Sequence, residues 1–256
     1  MPHDGPTAAS AESFETPAAK QQRGTARYAL IVPALNEENS VGKLLAQIPR
    51  ERFQEIVVVD NGSTDQTARV AREAGARVIH ESQRGYGTAC QSGLASLSPA
   101  VNAIVFMDAD LSDDPADASR LLDYFDAGGW DLVIGSRVLG NPEAGSLTPL
   151  QRFGNALTTR MIRLLWGVRF TDLGPLRVVR RDALERMALR DRDFGWNVEM
   201  QARAAMLGMK LAEIPVSYRR RKFGSSKISG TLKGSFQAGA KIIFTIARCW
   251  MMSSGR

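Results

Sequence analysis

Short apolar runs rich in β-branched residues alternate with segments of helical character through the first half of the chain. A polar or glycine-bearing turn follows each run. The five runs that predict strands are Tyr28–Val32, Ile56–Val59, Arg77–Ile79, Ala103–Met107 and Leu132–Ile134. This alternation predicts an α/β protein with a mostly parallel central sheet and helices on both faces.

The regular alternation weakens after about residue 141. The pattern there predicts two helices and two strands, in the order Leu150–Trp166, Leu176–Val179, Val198–Leu207 and Lys210–Pro215. This second half is cationic, because the segment from Arg177 to Lys227 holds thirteen Lys or Arg residues against six Asp or Glu. The local excess of seven positive charges favours an anionic partner.

Composition restricts the class of protein. The chain has 256 residues, of which 44% are hydrophobic and 23% charged, as in soluble globular proteins with a core. Residues 1–26 lack hydrophobic periodicity, and we expect them to form a disordered tail. Two distant cysteines give neither a disulfide framework nor a zinc pattern, which favours a reducing compartment.

The net charge of +6 favours phosphates, nucleic acid or an anionic membrane surface as partners. We expect no nucleic-acid binding, because the sequence has no helix-turn-helix, aromatic RNA platform or zinc-finger spacing. No run reaches the roughly 18 consecutive apolar residues of a membrane-spanning helix, and we expect no secretory signal, because the first residues include no apolar segment. We therefore expect a cytoplasmic protein that is soluble or peripheral on the cytoplasmic face of the membrane.

Two carboxylates directly follow the fourth predicted strand. Asp108 and Asp110 are separated by one small residue, and residues two apart in extended backbone project to the same side. Oxygen ligands select hard cations, so the pair predicts a site for Mg²⁺ or Mn²⁺ that bridges a diphosphate. The alternative is a polar turn, with Asp114 capping the next helix.

The loops after the first two strands also carry carboxylate side chains, and their sequences are Pro33-Ala34-Leu35-Asn36-Glu37 and Asp60-Asn61-Gly62-Ser63-Thr64-Asp65. By these loops and the Asp108 and Asp110 pair, the chain from Tyr28 to Lys227 resembles the family-2 glycosyltransferases of GT-A fold. Within them it is similar to the polyprenyl-phosphate (dolichyl-phosphate) mannosyl- and glucosyltransferases. The resemblance implies a GT-A catalytic domain over residues 27–230, followed by a C-terminal amphipathic helix over residues 231–256.

The resemblance also implies which residues bind the donor nucleotide. Pro33, Leu35 and Glu37 match the loop that binds the base and ribose. The related branch often has an aromatic residue at the position of Leu35, so this chain departs from the pattern there. Asp60 matches the aspartate that contacts the base.

The same resemblance assigns the reaction centre. Asp108, Ala109 and Asp110 match the metal and diphosphate motif, and Ser112 stands where a further metal-ligand oxygen is supplied. Arg137 matches the arginine that closes over the reaction centre, so Asp110 and Arg137 are the expected catalytic residues.

A late basic motif matches residues that contact the phosphates. Its members are Arg221, Ser226 and Lys227, in the pattern Arg-x-x-Gly-x-Ser-Lys. Arginine would bind phosphate as a planar fork and lysine as a point charge. We expect the neighbouring cations to be solvated or to face lipid headgroups; they are Arg219, Arg220 and Lys222.

The resemblance implies inverting transfer of a hexose from UDP-glucose or GDP-mannose to polyprenyl phosphate. The alternative acceptor is a hydroxyl of a glycolipid or a soluble molecule, which would need a base. Asp172 and Glu199 are candidates for that base, and each is also a candidate helix cap or orienting partner for an arginine. A third alternative is a catalytically silent protein of the same fold, against which the intact Asp108 and Asp110 pair argues.

Two further segments have predicted roles. The glycine-bearing loop from Arg84 to Ala89 is expected near the diphosphate, with glycine allowing close backbone approach. The apolar segment from Phe236 to Met252, interrupted by Lys241 and Arg248, suits a helix at a membrane surface. The alternatives for that helix are packing on the catalytic domain or within a homo-oligomer.

Overall fold

The computed structural model describes residues 26–140, 142–223 and 232–253, with the backbone alone for residues 232–240 and 253. Residues 1–25 of the expected tail lie outside this part, as do Ser226 and Lys227 of the late basic motif. The strands are β1 (Tyr28–Ala34), β2 (Phe53–Asp60), β3 (Arg77–His80), β4 (Ala103–Phe106), β5 (Leu132–Ser136), β6 (Arg177–Arg180) and β7 (Leu211–Pro215).

Helices connect most of these strands, and a short 3₁₀ turn covers Arg50–Arg52. The helices are α1 (Val41–Leu45), α2 (Thr67–Glu73), α3 (Tyr86–Ala95), α4 (Ala116–Gly128), α5 (Pro149–Trp166), α6 (Arg181–Met187), α7 (Trp196–Met206) and α8 (Leu232–Ser253). The start of α5 is marked by a capping box, in which the Thr148 hydroxyl accepts from the Gln151 N–H and the Gln151 side chain accepts from the Thr148 N–H. Gly167 ends α5 in the left-handed conformation that glycine adopts without strain.

The strands form one sheet in the order β3-β2-β1-β4-β6-β5-β7. All neighbouring pairs are parallel except those of β6, which runs antiparallel to both β4 and β5. The predicted α/β class with a mostly parallel sheet is confirmed. Because β6 runs in the opposite direction, its first residue Arg177 lies beside Phe106 at the end of β4 and beside Ile134 near the end of β5.

Two apolar cores lie on the two faces of the sheet. Leu30 and Val32 of β1 face one core, which α1, α2 and α4 also fill. Ala29 and Ile31 face the other, which α3, α6 and α7 cover. Successive residues of a strand point to opposite faces, so a strand covered on both sides reads as a continuous apolar run. The helices therefore lie on both faces, as predicted.

The C-terminal helix α8 packs against α5 and α7. Thr245, Ile246 and Cys249 are buried in this contact, whereas Phe244 and Met251 are exposed. Packing on the rest of the domain was one alternative for this helix, and the structure shows it. No helix within the described ranges is long and apolar enough to cross a membrane.

Candidate active site

One cavity of about 860 Å³ opens at the edge of the sheet where β1, β4 and β5 end. Eight of the residues that the sequence analysis singled out line it together: Pro33, Leu35, Glu37, Asp108, Ala109, Asp110, Arg137 and Arg221. Asp60 and Ser112 are buried and are not part of the cavity lining in the described chain. The geometry therefore brings most of the predicted site into one place.

The loop after β1 fixes Glu37. The backbone N–H of Glu37 donates to the hydroxyl of Thr67 at 2.7 Å, and its carboxylate accepts from the hydroxyl of Ser40 at 2.7 Å. Asn36 adopts a left-handed backbone conformation, with φ of 53°, to make this turn. The carboxylate of Glu37 pairs with the guanidinium of Arg221 from the far end of the chain.

Asp60 lies at the end of β2 and is held by its neighbours. One carboxylate oxygen accepts from the Ser63 N–H at 3.0 Å, and the other lies 3.1 Å from Nδ1 of His80. These contacts hold the Asp60 side chain within the loop that follows β2. Its predicted contact with the donor base stays a prediction.

Asn61, which the sequence analysis did not single out, lines the cavity and ties two loops together. Its side-chain amide donates to the carbonyl oxygens of Glu81 and Gln83, at 3.2 Å and 2.8 Å. Its side-chain oxygen accepts from the N–H of Gly85 at 2.8 Å. Its position directly after Asp60 is the signal that could have identified it.

β4 ends at Phe106, Asp108 follows it, and Asp110 lies in a turn that begins at Ala109. The extended backbone from which their common orientation was predicted is therefore wrong. The turn is tightened by Leu111, whose φ of 61° is left-handed, and by a hydrogen bond from the Ser112 N–H to Asp110 at 2.9 Å. Both carboxylates still line the cavity.

The environment of these carboxylates is charged and poorly solvated. Burial raises the pKa of Asp108 to about 7, and the negative charge of Asp110 adds to this effect. Burial also raises the pKa of Asp113 well above its ordinary value, and neither of its carboxylate oxygens accepts a hydrogen bond from a described residue. Asp110 is partly neutralised, because Nη1 of Arg221 lies 3.6 Å from its carboxylate.

The donor set suits a hard divalent cation. Asp108 and Asp110 both border the cavity, and burial disfavours the charge of Asp108, so a cation there would favour its ionised form. The described residues include no group of three or more His, Cys, Asp or Glu side chains that could hold a metal ion. Two carboxylates together with ligand phosphates are a common way to hold Mg²⁺.

Arg137 directly follows β5 and is oriented by a buried partner, Asp172. Its Nε and Nη2 atoms donate to the two carboxylate oxygens of Asp172 at 2.7 Å and 2.8 Å. Burial disfavours the charged guanidinium, but the hydrogen bonds and charge of Asp172 outweigh this, so the pKa of Arg137 is raised. Asp172 is fully buried, and its backbone N–H and that of Thr171 donate to Glu213.

These contacts favour the orienting role that was one of the alternatives for Asp172. The ring of Tyr218, which also lines the cavity, lies 4.9 Å from the guanidinium carbon of Arg137. Tyr218 was missed by the sequence analysis, although it stands three residues before Arg221.

Glu199 is fully buried on α7 and serves as an anchor. One carboxylate oxygen accepts from the N–H groups of Arg190 and Asp191, at 2.9 Å and 2.7 Å. The other pairs with Arg203 on the same helix and with Arg248 on α8, at 3.4 Å and 2.9 Å. Every oxygen of this carboxylate is engaged, and it does not line the cavity, which disfavours its role as a base.

The glycine-bearing loop begins α3 and approaches another part of the chain. A Cβ atom on Gly85 would come within 2.1 Å of the Arg192 carbonyl oxygen, and one on Gly87 within 2.1 Å of the Asp191 carbonyl oxygen. The N–H of Thr88 donates to the Arg192 carbonyl at 3.0 Å. These glycines therefore allow close packing on the segment before α7. The predicted approach of this loop to the diphosphate stays a prediction.

The sequence profile of Glycosyl transferase family 2 matches residues 29–188, more than half of the chain. The matched residues include the loops after β1 and β2 and the segment with Asp108 and Asp110. This chain belongs to glycosyl transferase family 2. The protein is therefore a glycosyltransferase.

Curated relatives of this glycosyltransferase extend the similarity towards the C-terminus. An uncharacterized glycosyltransferase of Mycobacterium tuberculosis is 39% identical over 210 residues, covering 82% of this chain and 93% of that protein. A dolichyl-phosphate hexose transferase of Haloferax volcanii is 33% identical over 217 residues, covering 84% and 90%. The polyprenol monophosphomannose synthase of Mycolicibacterium smegmatis is 32% identical over 223 residues, covering 82% and 83%.

A solved structure shows the same fold. Glucosyl-3-phosphoglycerate synthase of Mycobacterium tuberculosis, crystallised with Mn²⁺ and UDP-glucose, superposes with a TM-score of 0.70. It covers 90% of this chain and 81% of its own, at 21% sequence identity. The predicted GT-A fold of the glycosyltransferase is confirmed.

One wall of the cavity of this glycosyltransferase is apolar and was not predicted as part of the site. Its side chains come from α5, α8 and the segment before α7, and they are Leu150, Phe153, Leu157, Phe194, Ile242 and Ile243. The sequence showed these positions, except Phe194, only as parts of predicted helices. Their convergence on the carboxylates depends on the packing of α8 against α5.

Proposed function

We propose that this glycosyltransferase moves a hexose from a nucleotide-diphospho-sugar, UDP-glucose or GDP-mannose, to polyprenyl phosphate with inversion at the anomeric carbon. One observation carries the proposal: Arg137 and Arg221 share with the Asp108 and Asp110 carboxylates a cavity that has an apolar wall. Arg137 and Arg221 supply cations for phosphate groups, and the wall from Leu150 to Leu157 suits an isoprenoid chain. Two relatives are named for transfer to polyprenyl or dolichyl phosphate.

In the proposed reaction an oxygen of the lipid phosphate attacks the anomeric carbon. The bond between that carbon and the diphosphate oxygen breaks, and the nucleoside diphosphate leaves with the electron pair. The phosphate is already anionic near neutral pH, so no base is required. The work of the protein is to position both phosphates and to screen their repulsion. The presence of Arg137 and Arg221 in the cavity lining supports this role for them.

A divalent cation, Mg²⁺ or Mn²⁺, completes the proposal. Asp108 and Asp110 would hold it, with Ser112 as the further predicted ligand. The cation would neutralise the charge that develops on the departing diphosphate. Support comes from the oxygen-only donor set and from the Mn²⁺ present with UDP-glucose in the mycobacterial synthase of the same fold.

The alternative is transfer to a hydroxyl group, which would need a general base, and Asp193 is a candidate for that base. Asp193 lines the cavity, and burial raises the pKa of its carboxyl, as suits a general base. Asp172 and Glu199 are engaged with arginines, which leaves Asp193 as the better-placed carboxylate. A hydroxyl acceptor would make activity depend on Asp193, whereas a phosphate acceptor would not.

The test measures transfer of radiolabelled hexose from UDP-glucose and GDP-mannose, with Mn²⁺ or Mg²⁺, to a short-chain polyprenyl phosphate. The matched acceptor control is the corresponding polyprenol, which lacks the phosphate. We expect label in the lipid fraction only with the phosphate, and we expect Asp193→Asn to keep most of the rate. Labelling of the polyprenol, or loss of activity in Asp193→Asn, would contradict the proposed acceptor. The cytoplasmic location stays a prediction of the sequence.

A further inference from the structure

Exposed apolar side chains are concentrated on the two helices that border the cavity. Of the fourteen large hydrophobic side chains that are exposed in the described residues, ten belong to α5 and α8. Leu164 of α5 is 85% exposed, and Phe244 and Met251 of α8 are 60% and 62% exposed. The two helices pack against each other, and their exposed side chains are together called here the α5–α8 face. An apolar concentration of this kind marks an interaction site.

The charge of the α5–α8 face is positive throughout. Neither helix contains an Asp or Glu residue. Arg152, Arg160 and Arg163 of α5 are exposed, and no carboxylate of the described residues forms an ion pair with them. By contrast, Lys241 and Arg248 of α8 pair with buried Asp191 and Glu199. The surface therefore presents apolar groups together with unpaired arginines.

Apolar side chains together with unpaired arginines favour an anionic bilayer over a second copy of the chain as the partner of this face. A second copy of the chain, packed through the same face, would bring the α5 arginines of both copies together without any acidic residue on either helix. An anionic lipid bilayer supplies what the face lacks, because headgroup phosphates would meet the arginines and acyl chains would meet the apolar side chains.

We propose that the α5–α8 face is a membrane-docking surface that lies on an anionic bilayer without spanning it. The face is continuous with the cavity, because Phe153 and Leu157 of α5 and Ile243 of α8 also line the cavity wall. Docking would turn the mouth of the cavity towards the lipid. If the acceptor is polyprenyl phosphate, a point that rests on the proposed function, its phosphate would reach Arg137 while its chain stays at the membrane.

The test is sedimentation of the full chain with vesicles of phosphatidylcholine alone or mixed with phosphatidylglycerol. We expect binding to the mixed vesicles, weak binding to phosphatidylcholine alone, and weaker binding at high salt. The double variant Leu164→Glu/Phe244→Glu should abolish binding, and Arg160→Glu/Arg163→Glu should weaken it by roughly tenfold or more. None of these four residues lines the cavity. The matched control is Arg72→Glu, an exposed arginine on α2, which should bind as the wild type does.

Several results would overturn the docking proposal. These are no binding to the mixed vesicles, equal binding by wild type and both double variants, or a dimer in light scattering that Leu164→Glu/Phe244→Glu separates into monomers. Thermal unfolding of each variant checks that it is folded, which the exposure of the substituted side chains favours. Sugar transfer to a short, water-soluble polyprenyl phosphate is measured in parallel. Vesicle binding without transfer would contradict the proposed function alone, and transfer without vesicle binding would contradict docking alone.

Discussion

Arg137 and Asp172 are joined by three hydrogen bonds, although 35 residues separate them in the chain. The backbone N–H, Nε and Nη2 of Arg137 all donate to the Asp172 carboxylate, at 2.8, 2.7 and 2.8 Å. The two residues meet because β6 runs antiparallel to β5, so the segment before β6 reaches the edge where β5 ends. The buried carboxylate thus fixes the direction in which the Arg137 guanidinium enters the cavity.

The variant Asp172→Asn tests this orientation. An amide offers one acceptor oxygen in place of two, so the guanidinium should lose its fixed direction and kcat/KM for sugar transfer should fall about 10- to 100-fold. Loss of one partner of a buried ion pair should also lower the free energy of unfolding by about 3–5 kcal/mol. Steady-state kinetics and urea denaturation measure the two effects. The control is Asp182→Asn on α6, an exposed partner of Arg180 whose pairing is worth about 0–1 kcal/mol. Wild-type kinetics in Asp172→Asn would refute the orienting role.

The variant Asp110→Asn tests the proposed metal site. Removal of one of two carboxylates should reduce metal-dependent turnover by at least about 100-fold, because the amide is a poorer ligand for a hard cation. Turnover with added Mn²⁺ and after addition of EDTA measures the effect. Asp114→Asn is the matched control from the same acidic segment, since Asp114 pairs with Arg219 and does not line the cavity. Full Mn²⁺-dependent activity in Asp110→Asn would show that the Asp110 carboxylate is not needed to hold the metal.

The variant Glu199→Gln separates anchoring from catalysis. The change leaves Arg203 and Arg248 without their anion, so the free energy of unfolding should fall by about 3–5 kcal/mol. Chemical denaturation measures this loss. The control Glu185→Gln affects an exposed pair with Arg181 and should cost no more than about 1 kcal/mol. If Glu199→Gln were as stable as the wild type but inactive, Glu199 would be a catalytic residue and not an anchor.

Two variants of Tyr218 test whether its ring supports Arg137. Tyr218→Phe keeps the aromatic face and should leave kcat/KM within about threefold, whereas Tyr218→Leu removes a cation–π contact worth roughly 0.5–2 kcal/mol. That range corresponds to a loss of roughly 2- to 30-fold in kcat/KM. Equal losses in the two variants would assign the effect to the hydroxyl.

The parts of the fold that depend on local pattern were predictable. The apolar run around Ile31 has the length and composition of a strand covered on both faces, and polar residues at its carboxyl end indicated the site edge. The direction of β6 was not predictable from its sequence, because a strand pattern is the same in either direction. Asp108 and Asp110 were predicted to face one ligand from extended backbone, but the chain turns there beside Leu111, whose backbone is left-handed. Both carboxylates line the cavity, and their sharing of a ligand stays a prediction.

Long-range packing explains what the sequence could not show about the site. Glu199 was a candidate base because nothing local revealed that Arg248, 49 residues later, pairs with it. The apolar wall at Phe153 could not be placed beside Asp108 without knowing that α8 packs on α5. Ser112 and Asp60 were predicted from a resemblance, and their roles stay predictions.

Diffraction near the manganese absorption edge, from crystals grown with Mn²⁺ and UDP or GDP, tests most directly whether the Asp108 turn holds a metal-bound diphosphate. We predict an anomalous peak within coordination distance of the Asp108 and Asp110 carboxylates, with the diphosphate bound between that peak and Arg221. A nucleotide bound at another surface, with no anomalous peak at these carboxylates, would contradict the proposed donor site.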